Sequence, residues 1–355
     1  MKNLLPLLIF ISLFSCSPEE TIQANNTEQN YTTTLSSFVL NDYLATPAID
    51  VPLGTLFYQN VPYGPDQRQV IDIFLPPSAS GFSVTQQDVV DYRDMILNIH
   101  DGDFKSGDKS AAYNADNEIS AYLSNNIAFV SMNYRFLNTS EQNNKGVTTS
   151  FKDAENVFNF IRTHTNKLKI NSNKIFIIGN GFAGSSITQY LLSQPFYGFK
   201  VKGISMNDPL SSLDFLDFND TFSDFDFDLY SFVSEQDEQM IMELYGGIQF
   251  NQLESEDIII KNRETASFTS AYDNFTGRVR ISAIDYNVPY QTLENIKHLI
   301  RHQLHSIEIY NKATLQGLHV DAQILHLHMQ NDQSELDFIL DTWGRGNKGF
   351  LFLSK

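Results

Sequence analysis

A glycine-rich turn within residues 174–186 has the residue types and spacing of a turn that presents a nucleophile. An apolar β-branched run ends there and a helical pattern begins, with Gly179-Asn180-Gly181-Phe182-Ala183-Gly184 between them. A sharp strand-to-helix turn lifts one side chain above the strand, and in the pattern G-x-S-x-G that side chain is a serine that attacks a carbonyl carbon. Gly181 stands at the position of that serine. The turn therefore has the pattern needed for acyl transfer but lacks the attacking hydroxyl.

Ser185 and Ser186 are the nearest hydroxyls that could replace the missing nucleophile. Both fall in the predicted helix, and a four-residue shift at 1.5 Å per residue moves a hydroxyl about 6 Å along the axis. An active esterase with a displaced nucleophile is therefore the alternative to an inactive protein.

Glycine at 181 has a physical rationale of its own. The turn residue usually adopts a strained conformation that costs roughly 1–3 kcal/mol when a β-carbon is present.

A second loop, His100-Asp101-Gly102-Asp103, precedes the turn by about 80 residues and resembles the oxyanion loop of carboxylesterase-like α/β-hydrolases, in which backbone N–H groups stabilise an oxyanion. Glycines in such a loop let the backbone approach the developing charge, but aspartates occupy two of these positions. An ionised carboxylate 4 Å from an oxyanion raises its energy by about 4 kcal/mol at an effective dielectric near 20. The loop and the turn thus indicate, independently, a site that has lost ester chemistry.

The elements that position these residues alternate between strand and helix, which indicates a mostly parallel central sheet flanked by helices. Ligand sites in such sheets lie at the carboxyl ends of the strands. Strands are predicted at residues 55–58, 69–74, 94–100, 126–134, 201–206, 278–284 and 306–311, with a further strand from residue 174. Helices are predicted at residues 117–125 and 151–164, and from the glycine-rich turn through residue 192.

Six segments, in order, resemble those of carboxylesterase-like α/β-hydrolases. They are residues 63–76 (opening strands), 99–104 (a degraded H-G-G-G-F loop), 130–135 (the next strand), 153–184 (helix, strand and nucleophile turn), 285–289 (Asp-Tyr-Asn-Val-Pro) and 317–319 (Gly-Leu-His). The resemblance implies the α/β-hydrolase fold with a cap insertion at residues 208–276. It also implies that Gly181, Asp285 and His319 hold the positions of nucleophile, acid and histidine. Whether Asp285 and His319 bond to each other, or merely cap a turn and face solvent, is left open.

Two other clusters in the sequence could bind ligands, but a structural role is favoured for each. Residues 214–228 interleave six aspartates with five phenylalanines, which suits an aromatic lid or a weak Ca²⁺ site less well than an acidic surface with buried rings. His298, His302 and His305 are spaced to share one helix face, where a solvated surface is expected. No metal and no cofactor are therefore predicted.

The first residues resemble a bacterial lipoprotein precursor. Residues 1–15 contain an apolar run too short to span a membrane, and Cys16, the only cysteine, is the expected lipidation site. Residues 16–50 would form a flexible tether and residues 51–355 the hydrolase-like domain. The lipid anchor would place the protein in the cell envelope, at the outer membrane. The formal net charge of −18 argues against nucleic acid as a partner.

Three functions are consistent with these patterns. The preferred one is an inactive α/β-hydrolase relative that binds a small ester or glycan in the inherited cleft. The second is an active carboxylesterase or acetyl esterase that uses Ser185 or Ser186. The third is a structural envelope lipoprotein whose cleft is filled by side chains above Gly181.

Overall fold

A computed structural model describes most of the chain after residue 38. The described residues are 39–77, 92–114, 118–137, 146–194, 201–223, 227–247, 250–253, 267–268, 270–283, 295–324, 329–330 and 333–345. All of them belong to one compact unit, Val39–Lys355. The predictions for Cys16 and Asp285 fall outside these residues. None of the described helices combines the length and apolar character needed to cross a bilayer.

One mixed sheet forms the centre of the described part of the chain, with strand order β1-β2-β3-β5-β4-β6-β7-β8-β9. The strands are β1 (Leu44–Ala45), β2 (Leu56–Pro62), β3 (Val70–Leu75), β4 (Arg93–Ile99), β5 (Ile127–Met132), β6 (Ile170–Asn180), β7 (Val201–Asn207), β8 (Arg278–Ala283) and β9 (Val320–Ile324). The pairs β1–β2, β2–β3 and β3–β5 are antiparallel. The pairs β5–β4, β4–β6, β6–β7, β7–β8 and β8–β9 are parallel. The carboxyl ends of β4 to β9 consequently meet at one edge.

Helices connect most of the parallel strands. They are α1 (Glu118–Ser124), α2 (Thr148–Leu168), α3 (Gly181–Ser193), α4 (Asp217–Thr221), α5 (Leu229–Phe232), α6 (Glu235–Leu244), α7 (Ile296–Leu299), α8 (Gln303–Leu315) and α9 (Glu335–Thr342). In the described ranges, short 3₁₀ turns lie at Leu40–Tyr43, Lys109–Asn114 and Phe250–Gln252. Helices α4 to α6 belong to the insertion between β7 and β8, where the sequence predicted a cap.

Helices cover the sheet on both faces. Ile96, Phe176 and Ile178 pack with residues of α1 and α9 in one apolar cluster. Successive side chains of a strand point to opposite faces. Leu97 and Ile177 therefore belong to the other face, and both are fully buried as well. A sheet buried on both faces by helices is the layered α/β architecture that the alternating pattern predicted.

Most predicted elements are confirmed, but the prediction of a strand at residues 306–311 is wrong. These residues lie inside α8, where Ser306, Ile309 and Ala313 are buried at helical spacing. Their short alternation of polar and apolar residues satisfied a strand pattern and a helix pattern equally. The last strand is instead β9, which follows α8 and was not predicted. The predicted histidine loop, residues 317–319, consequently lies before the last strand and not after it.

Candidate active-site edge of the sheet

The turn between β6 and α3 has the backbone shape of a nucleophile turn. β6 ends at Asn180, and Gly181 opens the helix with a φ of +58°. A residue with a β-carbon is strained there, whereas glycine is not. Strand and helix also approach closely, since a Cβ built on Gly179 would lie 2.6 Å from the carbonyl oxygen of Gly184. The glycines of this turn thus serve its geometry, and the tip carries no side chain.

The carboxylate of Asp101 fills the space above Gly181. A Cβ built on Gly181 would lie 2.1 Å from both Cγ and Oδ2 of Asp101. The Ala183 N–H, in the first turn of α3, donates a 3.3 Å hydrogen bond to Oδ1. A carboxylate at a helix N-terminus is stabilised by the helix dipole and the unpaired N–H groups. An acidic side chain therefore occupies the space into which a side chain at residue 181 would project.

The other residues of this loop are also held in structural contacts. His100 is buried, stacks on Tyr134 with 4.4 Å between ring centroids, and places Nδ1 2.5 Å from the Asp101 carbonyl oxygen. Burial lowers the pKa of His100, which favours the neutral ring. Asp103 has a φ of +52° and accepts a hydrogen bond from Arg301 at 3.3 Å. Gly102 has a φ of +131°, a conformation that favours glycine.

Ser185 and Ser186, the predicted alternative nucleophiles, lie inside α3 and not at the tip of the turn. Both side chains are fully buried in α3. The Ser186 hydroxyl donates a 2.7 Å hydrogen bond to the Phe182 carbonyl oxygen, one turn back in the same helix. Ser185 Oγ accepts a 3.2 Å hydrogen bond from the Leu210 N–H. Both hydroxyls are thus buried and bonded within the fold, and neither is exposed in the cleft.

The structure does not bring His319 to Gly181. His319 directly precedes β9, and its carbonyl oxygen accepts from the Val279 N–H at the start of β8. Since β6 to β9 are parallel, His319 lies at the amino-end edge and Gly181 at the opposite, carboxyl-end edge. Its ring Nε2 lies 2.5 Å from Nη2 of Arg278. The assignment of His319 to the histidine position, which the resemblance implied, is therefore wrong.

The three helix histidines also lie differently from the prediction. His298 belongs to α7, His302 is the N-cap of α8, and His305 lies within α8, so they do not share one helix face. His305 is fully buried, and its Nδ1 lies 2.9 Å from the Ser211 hydroxyl oxygen. Across the described ranges, no three His, Cys, Asp or Glu side chains are grouped to hold a metal ion.

The acidic aromatic segment has the structural role that was favoured for it, as far as it is described. Phe215, Phe218 and Phe222 are fully buried, and Phe218 and Phe222 pack against His305. Asp217 accepts a 2.7 Å hydrogen bond from the Ser212 hydroxyl. Residues 224–226 of the segment fall outside the described part.

A cavity of about 540 Å³ adjoins the filled turn. It begins at Asp101 and Asn180 and extends along the sheet face that α1 and α9 cover, with Tyr122 and Glu335 in its helical wall. Pockets for small ligands usually measure about 300–1,000 Å³. The cleft at this edge is therefore closed directly above Gly181 but open beside it.

Five uncharged polar side chains lie on the strand side of this cavity, and of these only Asn180 belonged to the predicted site. They are Asn98, Asn180, Asn207, Ser282 and Gln323, which lie at or near the carboxyl ends of β4, β6, β7, β8 and β9. A polar residue closing several apolar strands in succession is the sequence signal that could have revealed them, because parallel strands end at a common edge.

Comparisons with known proteins agree with this architecture. The family model BD-FAE matches residues 72–195, which span β3 to the end of α3 and include both the Asp101 loop and the Gly181 turn. The sequence matches no curated protein significantly.

Solved structures with a similar fold include esterase B from Lactobacillus rhamnosis. Its C6-C4 SN3 inhibited form has 12% sequence identity and a TM-score of 0.52, covering 82% of each chain. The structure from strain HN001 has 11% identity and a TM-score of 0.51, covering 88% of this chain and 87% of that chain. At such identities the likeness concerns the fold alone. The chain thus has the fold of the carboxylesterase-like α/β-hydrolases, and it is similar to their BD-FAE family over residues 72–195.

Proposed function

We propose that this protein is an α/β-hydrolase-fold binding protein without serine-esterase activity, which holds a small ester or glycan ligand in the inherited cleft. The observation that carries the proposal is the Asp101 carboxylate in the space above Gly181, where a nucleophile side chain would project. The turn lacks a hydroxyl, and its immediate surroundings leave no room for one.

The energetic cost of these changes supports inactivity. Removing the nucleophile of a serine hydrolase lowers turnover about a million-fold. The two nearest serines are buried and bonded within α3. The Asp101 carboxylate also engages the Ala183 N–H at the helix end, where an oxyanion would seek backbone donors. Each change alone opposes acyl transfer, and they act on different steps of the reaction.

The open cavity favours a ligand-binding protein over a purely structural one. A scaffold whose cleft had been abandoned would be expected to fill the space with apolar side chains, since protein interiors are close-packed. Here the filling is confined to the space above Gly181, and about 540 Å³ beside it is left open. A polar cavity of that size at the carboxyl ends of parallel strands is suited to a small molecule.

We also propose that Cys16 is lipidated and anchors the protein in the bacterial envelope, at the outer membrane. Support comes from the apolar run before Cys16 and the polar stretch that follows it. Cys16→Ala should abolish labelling by palmitate and release the protein from the membrane fraction. Labelling that persists in this variant would refute the anchor.

Ester hydrolysis by the purified protein tests the proposed inactivity. We expect no turnover of p-nitrophenyl acetate, of longer acyl esters or of acetylated sugars above the background rate, and no labelling by a fluorophosphonate probe. A serine esterase assayed in parallel provides the positive control. Turnover that is lost on treatment with the fluorophosphonate would show an active serine and overturn the proposal.

A further inference from the structure

The strand wall of the cavity contains three asparagines on neighbouring strands, Asn98, Asn180 and Asn207, here called the amide row. They come from β4, β6 and β7, which are adjacent in the sheet. Asn180 pairs in register with Asn207, which in turn pairs with Ser282 of β8. Adjacent strands lie about 4.8 Å apart, so the row presents a polar group at each strand across the cavity.

The amide row is part of one hydrogen-bond chain with a single direction. Asn207 Nδ2 donates to Asn180 Oδ1 at 2.9 Å, and Asn180 Nδ2 donates to Asn98 Oδ1 at 3.0 Å. Asn98 Nδ2 then donates to the Ser131 hydroxyl oxygen at 3.0 Å, and that hydroxyl donates to the Lys109 carbonyl oxygen at 2.8 Å. Aligned hydrogen bonds polarise one another.

The starting point of the chain is the oxygen of Asn207. Within the described part of the chain, no donor bonds to Asn207 Oδ1, and the residue is half-buried at the cavity wall. A ligand hydroxyl that donates to this oxygen would extend the hydrogen-bond chain by one member. Ser282, on the next strand, adds a hydroxyl that can both donate and accept.

The position of the row distinguishes it from ordinary core. Strand side chains alternate between the two faces, so Asn98 shares a face with Ile96, and Asn180 with Ile178. The Ile96 and Ile178 side chains belong to the apolar cluster with α1 and α9. Buried faces of parallel sheets are normally apolar throughout. The face changes from apolar to amide side chains along the cavity, which Ile178 and Phe129 of the apolar cluster also line.

The opposite wall adds polar groups that are already held in place. Glu335 of α9 accepts hydrogen bonds from the Tyr122 hydroxyl at 2.9 Å and from the Ser205 hydroxyl at 2.6 Å. On the strand side, Arg280 of β8 forms a buried ion pair with Asp321 of β9. The cavity thus offers oriented donors and acceptors on two sides, together with the aromatic ring of Tyr122.

This lining selects the chemical class of the occupant. An anionic ligand would meet the carboxylates of Asp101, Glu118 and Glu335, while Arg280 is already paired with Asp321. A long acyl chain would leave Asn207 Oδ1 and the Ser282 hydroxyl without partners, which is costly for polar groups removed from water. A neutral molecule with several hydroxyls satisfies donors and acceptors along the row and can place an apolar ring face against Tyr122.

We propose that the cavity beside the Gly181 turn binds a neutral, polyhydroxylated ligand of the sugar type, with the amide row and Ser282 as its main hydrogen-bonding wall. The inference rests on the ligand-binding half of the proposed function. It places the ligand along the sheet face between β4 and β8 and not on the filled turn.

Calorimetric titration of the purified full chain with glucose, galactose, xylose and arabinose tests the proposal, with glucuronate as the anionic counterpart. We expect at least one neutral sugar to bind with millimolar affinity or better, and glucuronate to bind more weakly. Asn207→Leu and the cavity-filling Ser282→Leu should each weaken binding roughly tenfold or more. Asn311→Leu, an exposed change on α8, is the matched control and should leave binding unchanged.

A second measurement covers the case in which a substituted protein fails to fold. In the unsubstituted protein, the side-chain NH₂ resonances of Asn98, Asn180 and Asn207 should shift on titration with the sugar that binds, while that of Asn311 should not. Failure of all four neutral sugars to bind in the millimolar range would overturn the proposal. So would binding that neither shifts these resonances nor weakens in the Asn207 and Ser282 variants.

The two proposals fail in different ways. Ester turnover by the unsubstituted protein would refute inactivity, but it would leave the effect of Asn207→Leu on sugar binding intact as support for the amide-row site. An inactive protein that binds no neutral sugar would refute the amide-row site and leave the inactivity standing.

Discussion

Gly181→Ser, introduced alone, should destabilise the protein and produce no esterase. The new Cβ would lie 2.1 Å from Cγ and Oδ2 of Asp101, whereas ordinary contacts begin at 3.4 Å. The carboxylate must therefore withdraw by more than 1 Å, which breaks its 3.3 Å hydrogen bond from the Ala183 N–H. The serine must also adopt the positive φ of +58° found at this position.

The expected loss of stability follows from these two effects. A residue with a β-carbon in the left-handed region costs about 1–2 kcal/mol. Displacing a partly buried carboxylate from a helix N-terminus costs about 1–2 kcal/mol more. The free energy of unfolding should thus fall by about 2–4 kcal/mol. At about 2–3 °C per kcal/mol for a domain of this size, Tm should fall by roughly 4–12 °C.

A double-mutant cycle with Asp101→Ala separates the two effects. In the Asp101→Ala background there is no carboxylate to displace, so Gly181→Ser should cost only the backbone strain. The two substitutions should therefore show a coupling free energy of about 1–2 kcal/mol. Asp101→Asn is the matched control, because it removes the charge but keeps the volume, and it should not relieve the clash. The assays are urea unfolding, p-nitrophenyl acetate hydrolysis and fluorophosphonate labelling.

Additive stabilities in this cycle would show that Asp101 does not lie above Gly181. Strong turnover by Gly181→Ser alone would be more damaging, since it would mean that a serine at this position finds both space and a base. Either result would refute the geometric basis of the proposed inactivity.

Three further outcomes follow from the structure. Ser186→Ala should leave fluorophosphonate labelling at background, as in the unsubstituted protein, because the hydroxyl is buried and bonded within α3. Burial raises the pKa of Asp217 from 3.8 to about 6, so the folded state binds the proton of this carboxyl more tightly than the unfolded chain does. The free energy of unfolding should therefore fall as pH rises from about 4 to about 6. Asp217→Asn should remove that part of the fall in Tm. Lys109→Met should lower the free energy of unfolding by about 3–5 kcal/mol in urea, because it leaves the buried Asp72 carboxylate without the ammonium 3.4 Å away.

Matched controls sharpen the last two outcomes. Asp220→Asn, at an exposed carboxylate of the same helix as Asp217, should leave the pH dependence of Tm unchanged. A slope that survives in Asp217→Asn would assign it to other groups. Lys152→Met removes an exposed ammonium that pairs with Glu155 and should cost less than about 1 kcal/mol. An equally small effect at Lys109 would show that the Asp72 pair is not buried in solution.

Most of the fold was predictable because the local residue pattern indicates its helices and strands. The runs that form β4, β5 and β7 are apolar and end at polar or glycine residues, and α2 shows a clear helical period. Residues 306–311 were not predictable in the same way. Six residues with a mixed pattern fit a strand or one face of a helix, and the burial of Ser306 and Ile309 in α8 depends on the rest of the fold.

The candidate site was predictable only where it depends on backbone conformation. Gly181 stands at the tip of the turn with a positive φ, as its neighbouring glycines indicated. The assignment of His319 failed because the resemblance did not reveal that a strand, β9, begins directly after this residue. The amide row was missed because Asn98, Asn180 and Asn207 are far apart in sequence and meet only through strand register.

The amino-acid sequence by itself determined that the strand-to-helix turn ends in a residue without a side chain, since residue type and short-range sterics settle that question. Only the tertiary structure decided what lies above that residue and beside it. The position of Asp101 over Gly181 and the row of amides along the cavity both arise from strands brought together across the sheet. Such contacts depend on register and packing between distant segments, and local sequence does not encode them one segment at a time.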